Sequence, residues 1–471
     1  PMMNSSRAGL SDLFLGVAFT CGAEEEIVPF LDRGLSVEYE LARSMRVVAN
    51  TERKKIGVVT TEAKLFGGFD FQSFRSNPGW PVVDELKKQY EVIQVNPTGE
   101  LPVDVDGLML ALPSSLSQEE LDALKGHILQ GIPTLLLVDP MPIINLGLSP
   151  SEEAGRNQNP FMRNQQAQPP KQKGDIQGFL TELGLAWDKS IIVWDAYNPH
   201  PDLEQLPLEV VFLGRGNQNN DTFNPGHDAT VDLQEIVMLY PGTLAPVVGS
   251  DFEFQPLIRS GFVSGRLSYF QLVQRSFLGV GLNQNLPHRP DGSDYILAAQ
   301  VTKKESSIPE ENKNKKPSEQ VSTLEVNQKA LNIIVIADLD FISEQFFQIR
   351  EKGPENLNFD NVTLFLNAMD ILVGDESFIA LRNKRVKHRT LERVEAQTRQ
   401  FIETRIEEEE AAEVDAERAL AKAQETLDRH VEDVRRRPDL DERTKEIMAR
   451  NIQEAESRKF EVLKSSIETE K

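Results

Sequence analysis

Residues 105–138 read VDGLMLALPSSLSQEELDALKGHILQGIPTLLLV. Two short apolar runs, 105–112 and 134–138, flank an amphipathic stretch that opens at Ser117-x-x-Glu120 and stops at Gly131. The Ser-x-x-Glu spacing is a capping box, in which hydroxyl and carboxylate satisfy amides that a helix start leaves bare. The flanking runs are too short for helices and read as buried strands. A strand, a helix and a strand joined this tightly give two parallel strands with the helix across one face.

The same grammar extends outward. Upstream, the basic cluster Arg53, Lys54 and Lys55 leads into Ile56-Gly-Val-Val-Thr60, a β-branched strand. A short helix over 82–90 and a strand over 92–95 follow. Downstream come a helix over 177–183 ended by Gly184, a strand over 190–194, and a strongly apolar strand over 331–337. A later helix carries Val362, Phe365, Leu366, Met369 and Leu372 on one face and precedes Gly374. This alternation predicts an α/β fold: a doubly wound, mostly parallel sheet with helices on both faces.

The remaining segments frame that core. Residues 1–52 read as a β-hairpin and a helix. The apolar run 13–21 is too short for a targeting segment, so strands over 14–21 and 26–31, turning at Gly22-Ala23, are preferred. Val37, Leu41, Met45 and Val48 then fall at helical spacing. The α/β domain spans 53–302, with a Gln-, Asn- and Pro-rich loop at 149–175 expected to be mobile. Residues 303–330 read as a flexible excursion, and 331–388 complete the core. Residues 389–471 contain no Gly, Tyr or Trp and are rich in charge. Arg437-Pro438-Asp439 divides their heptad-like runs, which predicts a long charged helical hairpin.

Composition excludes several functions. With 51 Lys+Arg against 74 Asp+Glu, the chain of 471 residues carries a formal charge of −23, which repels nucleic acid. No apolar run is long enough to span a bilayer. A lone cysteine, Cys21, removes disulfide frameworks, Cys-based zinc sites and iron–sulfur clusters.

The search for chemistry is mostly negative. No Gly-Lys-Ser/Thr follows the Gly67-Gly68 pair, so a nucleotide loop is not predicted. The six histidines form no ligand-spaced pair, and surface positions are expected for them. The connection Pro113-Ser114-Ser115 lacks the glycines of a nucleophile elbow, and Asp139-Pro140 offers no nucleophile. The best constellation is Asp338-x-Asp340 at the carboxyl end of an apolar strand, where open α/β sheets bind ligands. Two carboxylates there could hold a divalent cation or act as acid and nucleophile. The alternative is that Asp338 caps the following turn while Asp340 meets solvent or a basic neighbour. No catalytic, cofactor-binding or metal-binding residue is assigned; Asp338 and Asp340 stand as the candidates.

The order of segments resembles the GldG-like family, auxiliary components of ABC-type transport systems linked in some bacteria to gliding motility. The resemblance rests on Ile27-Val-Pro-Phe-Leu31, Val37-Glu-Tyr-Glu-Leu-Ala-Arg43, Lys55-Ile-Gly-Val-Val-Thr60, Val105-Asp-Gly-Leu-Met109 and Gly131-Ile-Pro-Thr134. It continues through Leu180-x-x-Leu-Gly-Leu185, residues 191–194 and 333–341, Leu364-Phe-Leu-Asn367 and Ile379-x-Leu-Arg382. The resemblance implies a class-I glutamine-amidotransferase-like domain without catalytic residues, related to a non-enzymatic domain of intraflagellar-transport proteins. It further implies an extracytoplasmic, periplasmic domain whose membrane anchors lie outside this chain. The expected function is a non-enzymatic binding and assembly module, without cofactors, that partners ABC-type permease and ATPase subunits, with a homo-oligomer as a further expectation. The competing expectation is a metal-dependent hydrolase or sugar-acting enzyme using Asp338 and Asp340.

Overall fold

The computed structural model describes residues 16–28 apart from 23, most of 36–383, and scattered positions between 404 and 451. Within 36–383 the breaks are 50–51, 71–74, 100, 103, 153–171, 277–278, 284–285, 304–330 and 353–356. The chain forms two units, Pro1–Arg389 and Thr390–Lys471. Most of the loop expected at 149–175, of the excursion at 303–330 and of the hairpin at 389–471 lies outside the described residues. Residues 404–405 and 428–430 are helical and exposed.

Nine strands make the central sheet, numbered here in chain order. They are β1 (Lys55–Val59), β2 (Glu91–Val95), β3 (Gly107–Ala111), β4 (Thr134–Leu137), β5 (Leu185–Trp187), β6 (Leu244–Pro246), β7 (Phe252–Arg259), β8 (Ile296–Lys303) and β9 (Asn332–Ile336). The spatial order is β2-β1-β3-β4-β9-β8-β6-β5, with β7 also paired to β8. The block β2-β1-β3-β4-β9 is parallel throughout. Beyond β9 the partners are antiparallel.

Alternation along each strand sends side chains to two separate cores, as a sheet buried on both faces requires. Ile56, Val58, Met109, Ala111, Leu135, Leu137, Ile334 and Ile336 enter one. Leu108, Leu110, Leu136, Ile333 and Val335 enter the other. On the first face lie α2 (Pro81–Lys87), α5 (Glu344–Lys352) and α6 (Asn361–Val373), through residues such as Leu86, Phe347 and Phe365. Helices α3 (Gln118–Leu129) and α4 (Ile176–Glu182) cover the second through Leu121, Leu124 and Phe179. The capping box at Ser117 and Glu120 is formed as the sequence predicts. The architecture is therefore α/β with a mostly parallel central sheet.

One expectation is corrected and another extended. The strand near 190–194 exists as Ile191–Asp195, but it pairs antiparallel with Ser264–Ser268 outside the central sheet. Its apolar run reports burial and leaves the partner unspecified. The five apolar residues expected on one face of α6 all enter the first core, but the helix is buried on its other sides too: every residue except Ile371 is buried, including Asn361, Thr363, Asn367 and Asp370. Gly374 ends it at φ 69°, a left-handed cap open to glycine.

The N-terminal strands Val17–Cys21 and Glu24–Val28 pair antiparallel, and α1 (Val37–Val48) follows. This helix is tied to the α/β core. Ser36 Oγ donates to Leu381 O at 2.7 Å, and Arg43 Nη1 to Lys88 O at 3.0 Å. Beneath it lies a buried polar knot. Arg382 donates to Asp370 Oδ2 at 2.9 Å and to Asn367 Oδ1 at 2.6 Å, with its guanidinium 4.6 Å from the Tyr39 ring centroid. Gln89 Nε2 at 3.0 Å and the Tyr90 hydroxyl donate to Asp370 Oδ1.

Candidate carboxylate centre

Strands β4 and β9 are neighbours in register, Leu137 opposite Ile336. Each places an aspartate two residues beyond its carboxyl end: Asp139 after β4 and Asp338 after β9. A 3-10 turn, Asp340–Ile342, then brings a third carboxylate back to them. One oxygen from each of Asp139, Asp338 and Asp340 lies within 4.8 Å of the others. All three residues are sealed from solvent, at 0%, 0% and 1% exposure.

Main-chain amides hold the cluster. Asp139 accepts from Met141 N at 2.7 Å and from Leu339 N at 3.0 Å. Asp338 accepts from Asp340 N and Leu239 N, both at 2.7 Å. Asp340 Oδ2 accepts from Ile143 N at 2.6 Å. The sixth oxygen, Asp340 Oδ1, is buried with no hydrogen-bond partner among the described residues. The centre thus ties three chain segments together: the loop after β4, the turn after β9, and Leu239 at the end of the Glu235–Leu239 strand.

The electrostatics are one-sided. Burial, then the Asp340 and Asp338 charges, push the Asp139 carboxyl well above its ordinary range. Burial followed by Asp340 does the same to Asp338. Burial raises Asp340 to about 6. No basic side chain enters this balance. At 4.8 Å, two ionised carboxylates repel by about 3 kcal/mol even at an effective dielectric of about 20. Three charges cannot stand together here without a proton or a cation.

Asp338 and Asp340 are thus brought together as the sequence predicts, and Asp338 does receive the Asp340 amide. The expectation that Asp340 would meet solvent or a basic neighbour fails: it is buried among acids. Asp139 has no nearby carboxylate in sequence to mark it. Its signal was positional, since it follows its strand just as Asp338 follows the next.

Other sites need correction too. The turn after β3 does take a left-handed conformation, at Leu112 with φ 56°, without any glycine. Its serines are nonetheless buried, and Ser115 Oγ donates to Leu112 O at 2.9 Å. Several histidines are not on the surface. His200 and His227 are buried, and His200 Nε2 lies 2.6 Å from Glu235. His227 Nε2 lies 2.8 Å from Gln300, and His288 Nε2 lies 2.9 Å from Glu209. Glutamate and glutamine partners distant in sequence draw them inward, which histidine spacing cannot show.

A family profile described as an ABC-type uncharacterized transport system matches residues 53–368, and the chain belongs to that family. Membership makes it an auxiliary component of an ABC-type transport system, associated with a membrane machinery. No helix among the described residues is long and apolar enough to cross a membrane. A solved structure, the mmIFT52 N-terminal domain, is similar at 12% identity and a TM-score of 0.32, over 68% of this chain and 97% of that one. No curated protein matches the chain.

Proposed function

We propose that the chain is a non-enzymatic binding and assembly module of an ABC-type transport complex of the gliding-motility kind, working on the extracytoplasmic side. Family membership over residues 53–368 carries this reading. The carboxylate centre supports it as well. Among the described residues its acids are at most 1% exposed, and a catalytic group must reach its substrate. Residues 53–383 then act as an amidotransferase-like scaffold turned to holding other proteins. Its partners are the permease and ATPase subunits.

The test is affinity capture of the full-length protein from detergent-solubilised membranes after mild cross-linking. Recovery of an ATPase–permease pair is expected, with no hydrolase activity in the purified chain. Capture of soluble metabolic enzymes alone, or turnover of a glycoside or ester substrate, overturns the reading. Protease accessibility in spheroplasts checks the extracytoplasmic placement, where intact-cell protection followed by cleavage after outer-membrane removal is expected.

A further inference from the structure

We propose that Asp139, Asp338 and Asp340 form a buried binding site for one hard divalent cation of Ca²⁺ size. The site uses only oxygen donors, the chemistry that Ca²⁺ prefers over softer metals. Oxygens on opposite sides of Ca²⁺ stand about 5 Å apart, from bonds of about 2.3–2.6 Å. Three carboxylate oxygens within 4.8 Å of one another can therefore share such an ion. Opposite oxygens on Mg²⁺ stand about 4 Å apart, and that ion keeps much of its water, so it suits a sealed site less.

A second observation points to an occupant. Asp340 is 1% exposed, and its Oδ1 is the one carboxylate oxygen of the three residues with no donor. Native interiors seldom leave a buried acceptor in that state. Main-chain amides already satisfy the other five oxygens. Ser343, which closes the Asp340–Ile342 turn, adds another buried oxygen without a partner, its Oγ. A bound cation would give Asp340 Oδ1 the partner it lacks without requiring an N–H.

Charge accounting agrees. Three carboxylates and one divalent ion leave a single negative charge, which the amides of Met141, Ile143, Leu239, Leu339 and Asp340 oppose with the positive ends of their dipoles. The bound ion links the ends of β4 and β9 to the loop at 141–145. Its role is a staple at the centre of the sheet edge. The inference stands independently of the transport reading.

The test uses the full chain, stripped with EDTA and dialysed. Calorimetric titration with CaCl2 is expected to show one site per chain, and Ca²⁺ is expected to raise Tm. Asp340→Asn keeps an oxygen for the Ile143 amide and sets an NH2 group toward the acids. That variant should fold, melt higher than the stripped wild type, and bind Ca²⁺ about tenfold more weakly or worse. Wild type that binds no Ca²⁺ overturns the proposal. So does weak multi-site binding that Asp340→Asn leaves unchanged. A stripped protein that ignores Ca²⁺ but gains stability on acidification marks a shared proton in place of the ion, and also overturns it.

Discussion

Replacing Arg382 with methionine removes the cation from the knot beneath α1 while keeping a long apolar stem against Tyr39. Arg382 and Asp370 have side-chain exposures of 2% and 0%. Burial raises the Asp370 carboxyl, and Arg382 followed by Tyr90 pulls it back down. Without the guanidinium, the carboxylate keeps only Gln89 and Tyr90 as donors among the described residues. Breaking a buried pair on one side typically destabilises by about 3–5 kcal/mol. The deficit must depend on pH. In the variant the folded-state pKa of Asp370 rises further above the unfolded value, so the folded form holds a proton that the unfolded form has lost. Stability is then fullest below the unfolded pKa and falls as pH climbs through the folded one. Urea unfolding followed by tryptophan fluorescence reads this directly. A loss of about 4 kcal/mol is expected at pH 7.5, shrinking to about 2 kcal/mol or less at pH 4.5. Asp370→Asn added to Arg382→Met should restore more than about 1.5 kcal/mol at pH 7.5, since a neutral amide still accepts from Gln89 and Tyr90. A loss below about 1 kcal/mol, or one that does not vary with pH, refutes the account of the knot as a charge pair that needs both members.

Three further outcomes are expected. Ile336→Ala, at the fully buried carboxyl end of β9, should cost about 2–5 kcal/mol in urea unfolding through lost burial and a residual cavity. Ser117→Ala removes half of a capping box whose Glu120 accepts from Ser117 N at 2.8 Å, and a loss of about 1 kcal/mol is expected in the same assay. Asp195, 2% exposed, accepts from Tyr197 N at 2.9 Å and Gly261 N at 2.6 Å, and burial lifts it to about 7. The folded chain therefore holds a proton that the unfolded chain releases near pH 4. Stability from this group is full below about pH 4 and falls up to about pH 7, by a few kcal/mol. Asp195→Asn should flatten the wild-type stability slope across that window, and equal slopes would sink the assignment.

Periodicity made the parallel block readable. Its strands are short apolar runs, and β3 and β4 flank a helix that is capped at Ser117 and stopped at Gly131, local chemistry that survives folding unchanged. Pairing beyond β9 was not readable, because an apolar run states that it is buried without naming its neighbour. That is why Ile191–Asp195 was expected in the central sheet and lies against Ser264–Ser268. The carboxylate centre was half visible. Asp338 and Asp340 stand two apart in sequence, whereas Asp139 lies about two hundred residues earlier and joins them only because β4 and β9 are adjacent. Helix α6 was legible in its five apolar residues, which all enter one core, but not in its buried polar ones. Its Asn361, Asn367 and Asp370 are each bonded to groups from distant segments: Asn361 to Val237 O, Asn367 to Ala229 O and Asp370 to Gln89.

The place of β9 bears on how this molecule is made. It sits between β4 and β8, yet residues 332–336 leave the ribosome after every other strand of the sheet. Until then β4 presents a bare rim of unpaired amides and carbonyls flanked by Leu135, Leu136 and Leu137, a template for sticking to other nascent chains. Closing that gap late, with partners far apart along the polypeptide, makes for slow maturation. Any truncation upstream of residue 332 would leave the gap permanently open, and such products are expected in inclusion bodies.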